Sequence, residues 1–411
     1  LHILSGTDVS DLGTTSLGET LDSLLGVTTS DYGSAVGQPI IRGLSGSRVR
    51  VLTNGLVNRD VAGIGADHKN EVDLNDIQQI EVVRGPSSLL YANGATGGIV
   101  NIVDNTIATS DVEKRLFKLG FETQSVNSGD GQSFSVADNL GGLNLYFSYS
   151  DSSFGNYDIP SGAVLHEEEE HHDDDHGDDD HDDHDEHEED KGYLDNSDSA
   201  QEATRFGVSK VADWGYVGLA VSSSESIFGV PYHGEGHEEH GDEHGDEEGH
   251  DEHEGERIFS NTESDKVNIR GQIGKVDFFF QDSEYSHTEQ HAEEEHGDEH
   301  GDEDGDHDDH GHGEEGPTTF SNDSSEFGFI VDLSNDLMTQ KVSLNSSDET
   351  VKIFGDEAFM NPADREELTI GYFAKRDFDM FEVSFGVRYD QIDTSGSLTE
   401  HHEEDGHDEE D

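Results

Sequence analysis

The chain has 411 residues, 96 Asp and Glu against 22 Lys and Arg, a formal net charge of -74, and no cysteine. That charge excludes nucleic acid and other polyanions as partners held by simple electrostatics, and it points to cations. Without thiols there is neither a disulfide frame nor a thiolate metal site, so any transition-metal chemistry rests on imidazole and carboxylate.

The segment from Leu1 to about Asp104 is rich in Gly. Short β-runs at Arg48 to Leu52, Ile80 to Val83 and Ile99 to Val103 are separated by Gly turns, which predicts a compact N-terminal α+β domain of tight bends ending near residue 108. The Gly-rich stretch Gly94 to Gly98 is not followed by Lys-Ser/Thr but by an apolar strand, which argues against a phosphate-binding loop.

From Lys114 to Asp390 the chain alternates with the period of two that marks strands. Leu143, Leu145, Phe147 and Tyr149 interleave with Asn144, Tyr146, Ser148 and Ser150, and Phe381, Val383, Phe385, Val387 and Tyr389 with Glu382, Ser384, Gly386, Arg388 and Asp390. About eleven such runs are expected, which is an odd number for a closed barrel. Mean hydropathy is only -0.76 and no run reaches the roughly 18 apolar residues of a spanning helix. Neither fact bears on barrel strands, in which only every second side chain is apolar.

Short polar turns are predicted at Leu140 to Gly142, Asp213 to Gly215, Gly274 to Lys275, Ser334 to Asp336 and Asp377 to Asp379. The alternate connections are long, and all four tracts made of little but His, Asp, Glu and Gly fall in them: His166 to Asp190, His233 to Glu256, His287 to Glu315 and Glu400 to Asp411. The loops are accordingly placed at about 160–200, 230–260, 286–317 and 398–411 of a barrel region 109–411. Sorting loop length and charge by strand parity is what a membrane barrel with two distinct rims does. The fold class is therefore an all-β membrane protein, an antiparallel transmembrane β-barrel preceded by the compact α+β domain.

The first segment carries Ser16-Leu-Gly-Glu-Thr-Leu-Asp-Ser-Leu-Leu-Gly-Val27, Pro39-Ile-Ile-Arg-Gly43, Arg48-Val-Arg-Val-Leu-Thr-Asn-Gly55, Ile80-Glu-Val-Val-Arg-Gly-Pro86 and Gly94-Ala-Thr-Gly-Gly-Ile-Val-Asn-Ile102. Together with Gly386-Val-Arg-Tyr-Asp390 these motifs resemble those of TonB-dependent outer-membrane receptors. Asp67-His68 and Gly355-Asp-Glu-Ala-Phe359 are most similar to the zinc-uptake branch. The resemblance implies a plug filling a barrel of about 22 strands, half of which this chain would supply. It also implies a signal peptide and a TonB-contacting motif upstream of Leu1, energisation by TonB, ExbB and ExbD, and a Gram-negative outer membrane with the acidic loops extracellular. Asp67, His68 and Glu357 are carried over as a discrete metal site, and Arg42 and Arg84 as structural residues that pair with barrel carboxylates to lock the plug.

Of the 25 His, only His2 and His68 lie outside the four tracts, and the tracts contain no Lys or Arg. The octet His240-Gly-Asp-Glu-His-Gly-Asp-Glu247 recurs as His296-Gly-Asp-Glu-His-Gly-Asp-Glu303. Mixed nitrogen and oxygen donors suit Zn, Ni, Co or Cu(II), whereas Ca and Mg gain little from imidazole. The candidate capture residues are His171, His172, His176, His181, His184 and His187 in the first tract, and His233, His237, His240, His244, His250 and His253 in the second. The third supplies His291, His296, His300, His307, His310 and His312. Tethered donors recapture a released ion at an effective concentration of about millimolar order. The expected function is import of a divalent metal, zinc first, as transported substrate, with no tightly bound cofactor. A siderophore or haem receptor of the same fold is one alternative and a non-transporting surface metal buffer or adhesin another. Acidity alone would also fit a solvated, repeat-expanded loop. No nucleophile–base arrangement or metalloprotease motif appears, so no enzyme activity is expected.

Overall fold

The computed structural model describes residues 2–13, 16–33, 35–161, 163, 192–231, 258–291, 316–355 and 358–397. The N-terminal part contains strands β1 (His2–Ser5), β2 (Val27–Tyr32), β3 (Val36–Ile41), β4 (Val49–Thr53), β5 (Leu56–Val57), β6 (Ile77–Val83) and β7 (Gly98–Asp104), with short helices α1 (Gly6–Leu12) and α2 (Leu17–Leu21). A five-stranded sheet runs β1-β6-β7-β4-β5, with β4 and β7 parallel, and β2–β3 forms a separate hairpin. Apolar alternation builds its core: Ile80 and Val82 of β6, Val100 and Ile102 of β7 and Val49 and Val51 of β4 meet Leu17 and Leu21 of α2. The Gly94–Gly98 stretch leads directly into β7, and a Cβ at Gly98 would lie 2.7 Å from the Val83 carbonyl oxygen. That glycine serves close strand packing, in agreement with the reading of the stretch as no phosphate loop.

Eleven further strands form one antiparallel meander: β8 (Leu116–Gln124), β9 (Gly129–Leu140), β10 (Leu143–Phe154), then, past a small ladder of β11 (Tyr157–Asp158) and β12 (Tyr193–Leu194), β13 (Ser199–Ala212), β14 (Gly215–Gly229), β15 (Ile258–Ile273), β16 (Val276–His291), β17 (Thr318–Asp332), β18 (Thr339–Phe354), β19 (Ala363–Asp377) and β20 (Glu382–Gly396). Number and order agree with the sequence reading. The sheet is a partial barrel: β8 and β20 are its two edges and do not pair.

The sheet is inside-out relative to a water-soluble one. Ser135, Ser148, Ser209, Ser260, Thr262, Gln281, Ser283 and Thr369 are buried, while Phe206, Leu219, Val221, Ile269, Phe327, Phe329 and Ile370 are exposed. An apolar outer face with a polar inner face is the arrangement that lipid demands and water penalises.

The chain crosses from strand to strand at Gly141–Gly142, Asp213–Trp214, Gly274–Lys275, Leu333–Met338 and Phe378–Phe381 on one rim. The strand ends that flank the acidic tracts, at Gly229 and Ile258 and at His291 and Thr318, all lie on the other rim, as does the β11–β12 ladder. The third tract starts later than its composition indicated. Tyr285, His287 and Glu289 continue the inward-facing alternation of Gln281 and Ser283, so β16 runs through His291.

The N-terminal part sits against the polar inner face. Asp76 accepts from Tyr146 Oη at 2.7 Å, Glu71 accepts from Ser224 Oγ at 2.5 Å and the Leu89 carbonyl accepts from Arg388 Nη1 at 3.2 Å. Arg205 of β13 lies 3.1 Å from Asp73, and Arg59 bridges to Glu326 of β17 at 3.1 Å and Glu349 of β18 at 3.2 Å. Arg59 and Arg205 thus meet opposite charges across the seam, without which their burial would cost several kcal/mol, on the order of the ion-pair values in proteins.

Candidate metal centre

Between β5 and β6 a loop carries Val61 to His68 across the seam. Val61 packs with Tyr285, Phe320 and Ile353 of the wall, and Asp60 accepts backbone N–H groups from Ala62 at 3.3 Å and Glu71 at 2.9 Å. Burial pushes the Asp60 carboxyl up. The loop delivers His68, 7% exposed, to His287 of β16, 1% exposed. Register places His287 opposite Thr262 on β15 and Phe320 on β17. Its inward direction follows from the strand period, with Tyr285 below and Glu289 above it on the same face.

The ligand atoms of His68, His287 and Glu289 all lie within 4.8 Å of one another. His287 Nε2 is 2.9 Å and His68 Nε2 3.2 Å from the same carboxylate oxygen, Glu289 Oε1. The 2.9 Å contact is a hydrogen bond from His287 Nε2 to the carboxylate; metal–ligand bonds of 2.0–2.2 Å in a tetrahedron put ligand atoms about 3.3 Å apart, so modest shifts would let the three share an ion. His68 Nδ1 donates to Asp67 Oδ1 at 2.9 Å, and His287 Nδ1 lies 3.3 Å from Thr262 Oγ1. Both rings are therefore anchored through Nδ1 and converge through Nε2, the carboxylate–histidine arrangement that orients imidazoles toward metals. His68 Nε2 is buried and lies 3.2 Å from Glu289 Oε1, the carboxylate it shares with His287.

Burial works against a charge on His68, but the hydrogen bond to Asp67 and the Glu289 carboxylate beside it carry its pKa from 6.5 to about 9. The Asp67 carboxyl is held low, first by the hydrogen bond from His68. The charged neighbours of His68 are two carboxylates; among the described residues no Lys or Arg forms an ion pair with the cluster. Carboxylates and imidazoles thus gather here with no fixed cation paired to them among the described residues. Phe320 lies 5.9 Å from both imidazoles, Phe228 6.0 Å from His287 and Phe359 6.4 Å from Phe320, so aromatic rings wall the site. Deeper along the seam, starting at Glu71, a cavity of about 780 Å³ is lined by Asp73, Asp76, Asp104 and Arg205 among others.

Of the predicted residues, Asp67 and His68 stand in this cluster. Glu357 lies outside the described residues, as do the predicted capture histidines other than His291, which closes β16. His287 and Glu289 were missed: their composition assigned them to the third tract, although their spacing from Tyr285 was strand-like. Among the described residues neither Arg42 nor Arg84 forms an ion pair with a wall carboxylate. Arg42 is exposed, and Arg84 Nη2 donates 2.9 Å to the Leu25 carbonyl of its own domain. Both flank Gly26, where backbone oxygens rather than wall carboxylates are within reach. Arg59, Arg205 and Arg388 make the cross-seam contacts instead.

The comparisons fit this geometry. Residues 1–99 match the family model of the TonB-dependent Receptor Plug Domain. The N-terminal domain is thus similar to the plug domains of TonB-dependent receptors. Among similar solved structures, the copper transporter OprC shares 11% identity and a TM-score of 0.65, over 96% of this chain and 55% of that one. The FrpB iron transporter from Neisseria meningitidis shares 12% and 0.61, over 94% and 58%. The Serratia marcescens hemophore receptor HasR, in complex with its hemophore HasA and heme, shares 10% and 0.65, over 95% and 51%. At such identities the likeness is one of fold: a plug against the wall of an outer-membrane β-barrel. The chain spans between half and three-fifths of the length of these three structures.

Proposed function

We propose that this chain serves a TonB-dependent receptor that imports a divalent transition-metal ion, zinc first, with nickel, cobalt and copper as competitors. The observation that carries the reading is the convergence of His68, His287 and Glu289 on one point at the plug–wall seam. Two imidazoles and a carboxylate suit a borderline ion and leave one coordination position for water or a passing ligand. In this reading the rim bearing the tracts faces outside, and the His-rich tracts gather ions there. The socket takes an ion from them in a form stripped of most of its water by the aromatic rings around it. Entry to the periplasm follows when an energised TonB, ExbB and ExbD complex displaces the plug.

A bare ion is favoured over a siderophore or haem because His287 is 1% exposed and packed between rings. Radiometal uptake tests the reading in cells that express the receptor, with and without a functional TonB. TonB-dependent ⁶⁵Zn uptake that falls when His287 is replaced by Ala is the expected result. Uptake of a ferric chelate or haem, unaffected by the His287→Ala change, would replace this reading with the chelate one. Binding without TonB-dependent uptake would make the protein a surface buffer.

A further inference from the structure

We propose that Gln38 is the positioning residue of the metal site: its side-chain amide holds the Ala62–His68 loop in the shape that brings His68 Nε2 to His287 and Glu289. The inference rests on reading that cluster as a metal site. Gln38 lies in β3, 4% exposed. Its Nε2 donates to the Ala62 carbonyl at 2.8 Å, the Gly65 carbonyl at 2.6 Å and the His68 carbonyl at 2.7 Å. Three carbonyls of an irregular loop thus converge on one nitrogen carrying two hydrogens. Such oxygens, buried without donors, would force the loop into another path.

Asp67 cannot do this work. It orients the His68 ring, but it belongs to the same loop and moves with it. Placing that loop relative to β16 needs an anchor from another element, and Gln38 supplies one at its beginning, middle and end. The anchor also joins separately packed pieces. Val36 beside it packs on Phe228 and Val230, whereas Val61 packs on Tyr285, Phe320 and Ile353. The loop has little slack: a Cβ at Gly65 would lie 2.3 Å from Asp67 Oδ1 and 2.9 Å from His68 Nδ1. The chain folds over the Asp67–His68 pair with room for a hydrogen atom only.

The test uses Co²⁺ titration of the full chain in detergent, followed by visible absorption. The component that disappears in His287→Ala defines the discrete site and separates it from binding by the tracts. Gln38→Met keeps the volume and removes the donors; Gln38→Glu keeps the shape and turns donors into acceptors. Each is expected to weaken the His287-dependent component by about 10-fold or more, in line with the loss of a group that orients a ligand, and to shift its bands. Unchanged affinity and unchanged bands in Gln38→Met overturn the proposal. Should that variant fail to fold, Gln38→Glu decides, since it removes the same donors; an unaltered component there overturns it equally. If the wild-type chain shows no His287-dependent component, the metal-site reading itself fails and this proposal with it.

Discussion

Two places where plug and wall exchange charge invite comparison. At Arg59 the chain brings its own cation, set 3.1 and 3.2 Å from Glu326 and Glu349, whose other oxygens accept from Asn345 and Asn322. At His68 the same kind of seam gathers Asp67, Glu289 and two imidazoles with no fixed cation among them. The first carries a fixed cation of the chain between its two carboxylates. The second has only titratable imidazoles beside its two carboxylates, so its charge balance changes with protonation and, in the proposed reading, with a bound metal ion. A charge pair across a seam therefore says little about function until one asks whether the chain supplies both signs.

The comparison breaks most visibly if the lock is not a lock. Arg59→Met leaves two carboxylates buried without their cation, a loss of about 3–5 kcal/mol. It is expected to lower the urea concentration at which the plug unfolds while leaving the His287-dependent Co²⁺ bands in place. Intact plug stability, or vanished bands, would erase the distinction between the two places.

Next in size is loss of a ligand. His287→Ala or Glu289→Ala is expected to weaken the discrete site by about 100-fold or more, beyond the range for groups that only orient ligands, with plug stability toward urea little changed. Equal binding by wild type and variant in calorimetric titration would assign all affinity to the tracts.

The third expectation concerns protons. In the metal-free protein the His68 pKa rises from 6.5 to about 9, so its stabilising charge contacts are fully present below about pH 6.5 and are lost as pH climbs through about 9. Metal must displace that proton, so apparent affinity at the discrete site should fall about tenfold per pH unit below pH 9. Stability of the apo plug and metal affinity thus move in opposite directions with pH. Melting curves and Co²⁺ titrations at pH 6.5, 7.5 and 8.5 check the two slopes, and parallel slopes would sink the account.

The smallest effect belongs to a solvent-exposed pair on the wall. Lys352–Asp323, 3.1 Å apart with both side chains about a third to half exposed, should change stability by no more than about 1 kcal/mol when Lys352 becomes Ala, which a denaturant midpoint would show.

Much of this molecule was legible before its structure. Period-two alternation gave the eleven strands because a strand lying between lipid and a polar lumen must alternate, whatever its neighbours are. The parity of the connections put the flanks of the tracts on one rim for a purely topological reason: consecutive antiparallel strands end at opposite rims. Asp67-His68 came from the resemblance to the zinc-uptake branch, His68 being one of two histidines outside the acidic tracts.

The partners of that pair were hidden by composition. His287 and Glu289 border a run of His, Glu, Asp and Gly and read as its first members; only the continuing β16–β15 and β16–β17 ladders show them to be strand residues with a fixed inward direction. The lock was hidden for a different reason. Arg42, Arg59 and Arg84 all lie in plug segments between short β-runs, and nothing local tells which of them faces a wall carboxylate.

The sequence by itself thus determined the fold class, the sorting of the two rims and the kind of donor a cation would meet, since periodicity and composition are properties of a chain taken alone. Only the tertiary structure decided that His68 meets His287 and Glu289, that Gln38 bonds the loop carrying His68 and that Arg59 pairs with Glu326 and Glu349 of the wall. Those pairings depend on how far the plug sits along the wall and at what rotation, and that placement is set by the packing of many residues at once.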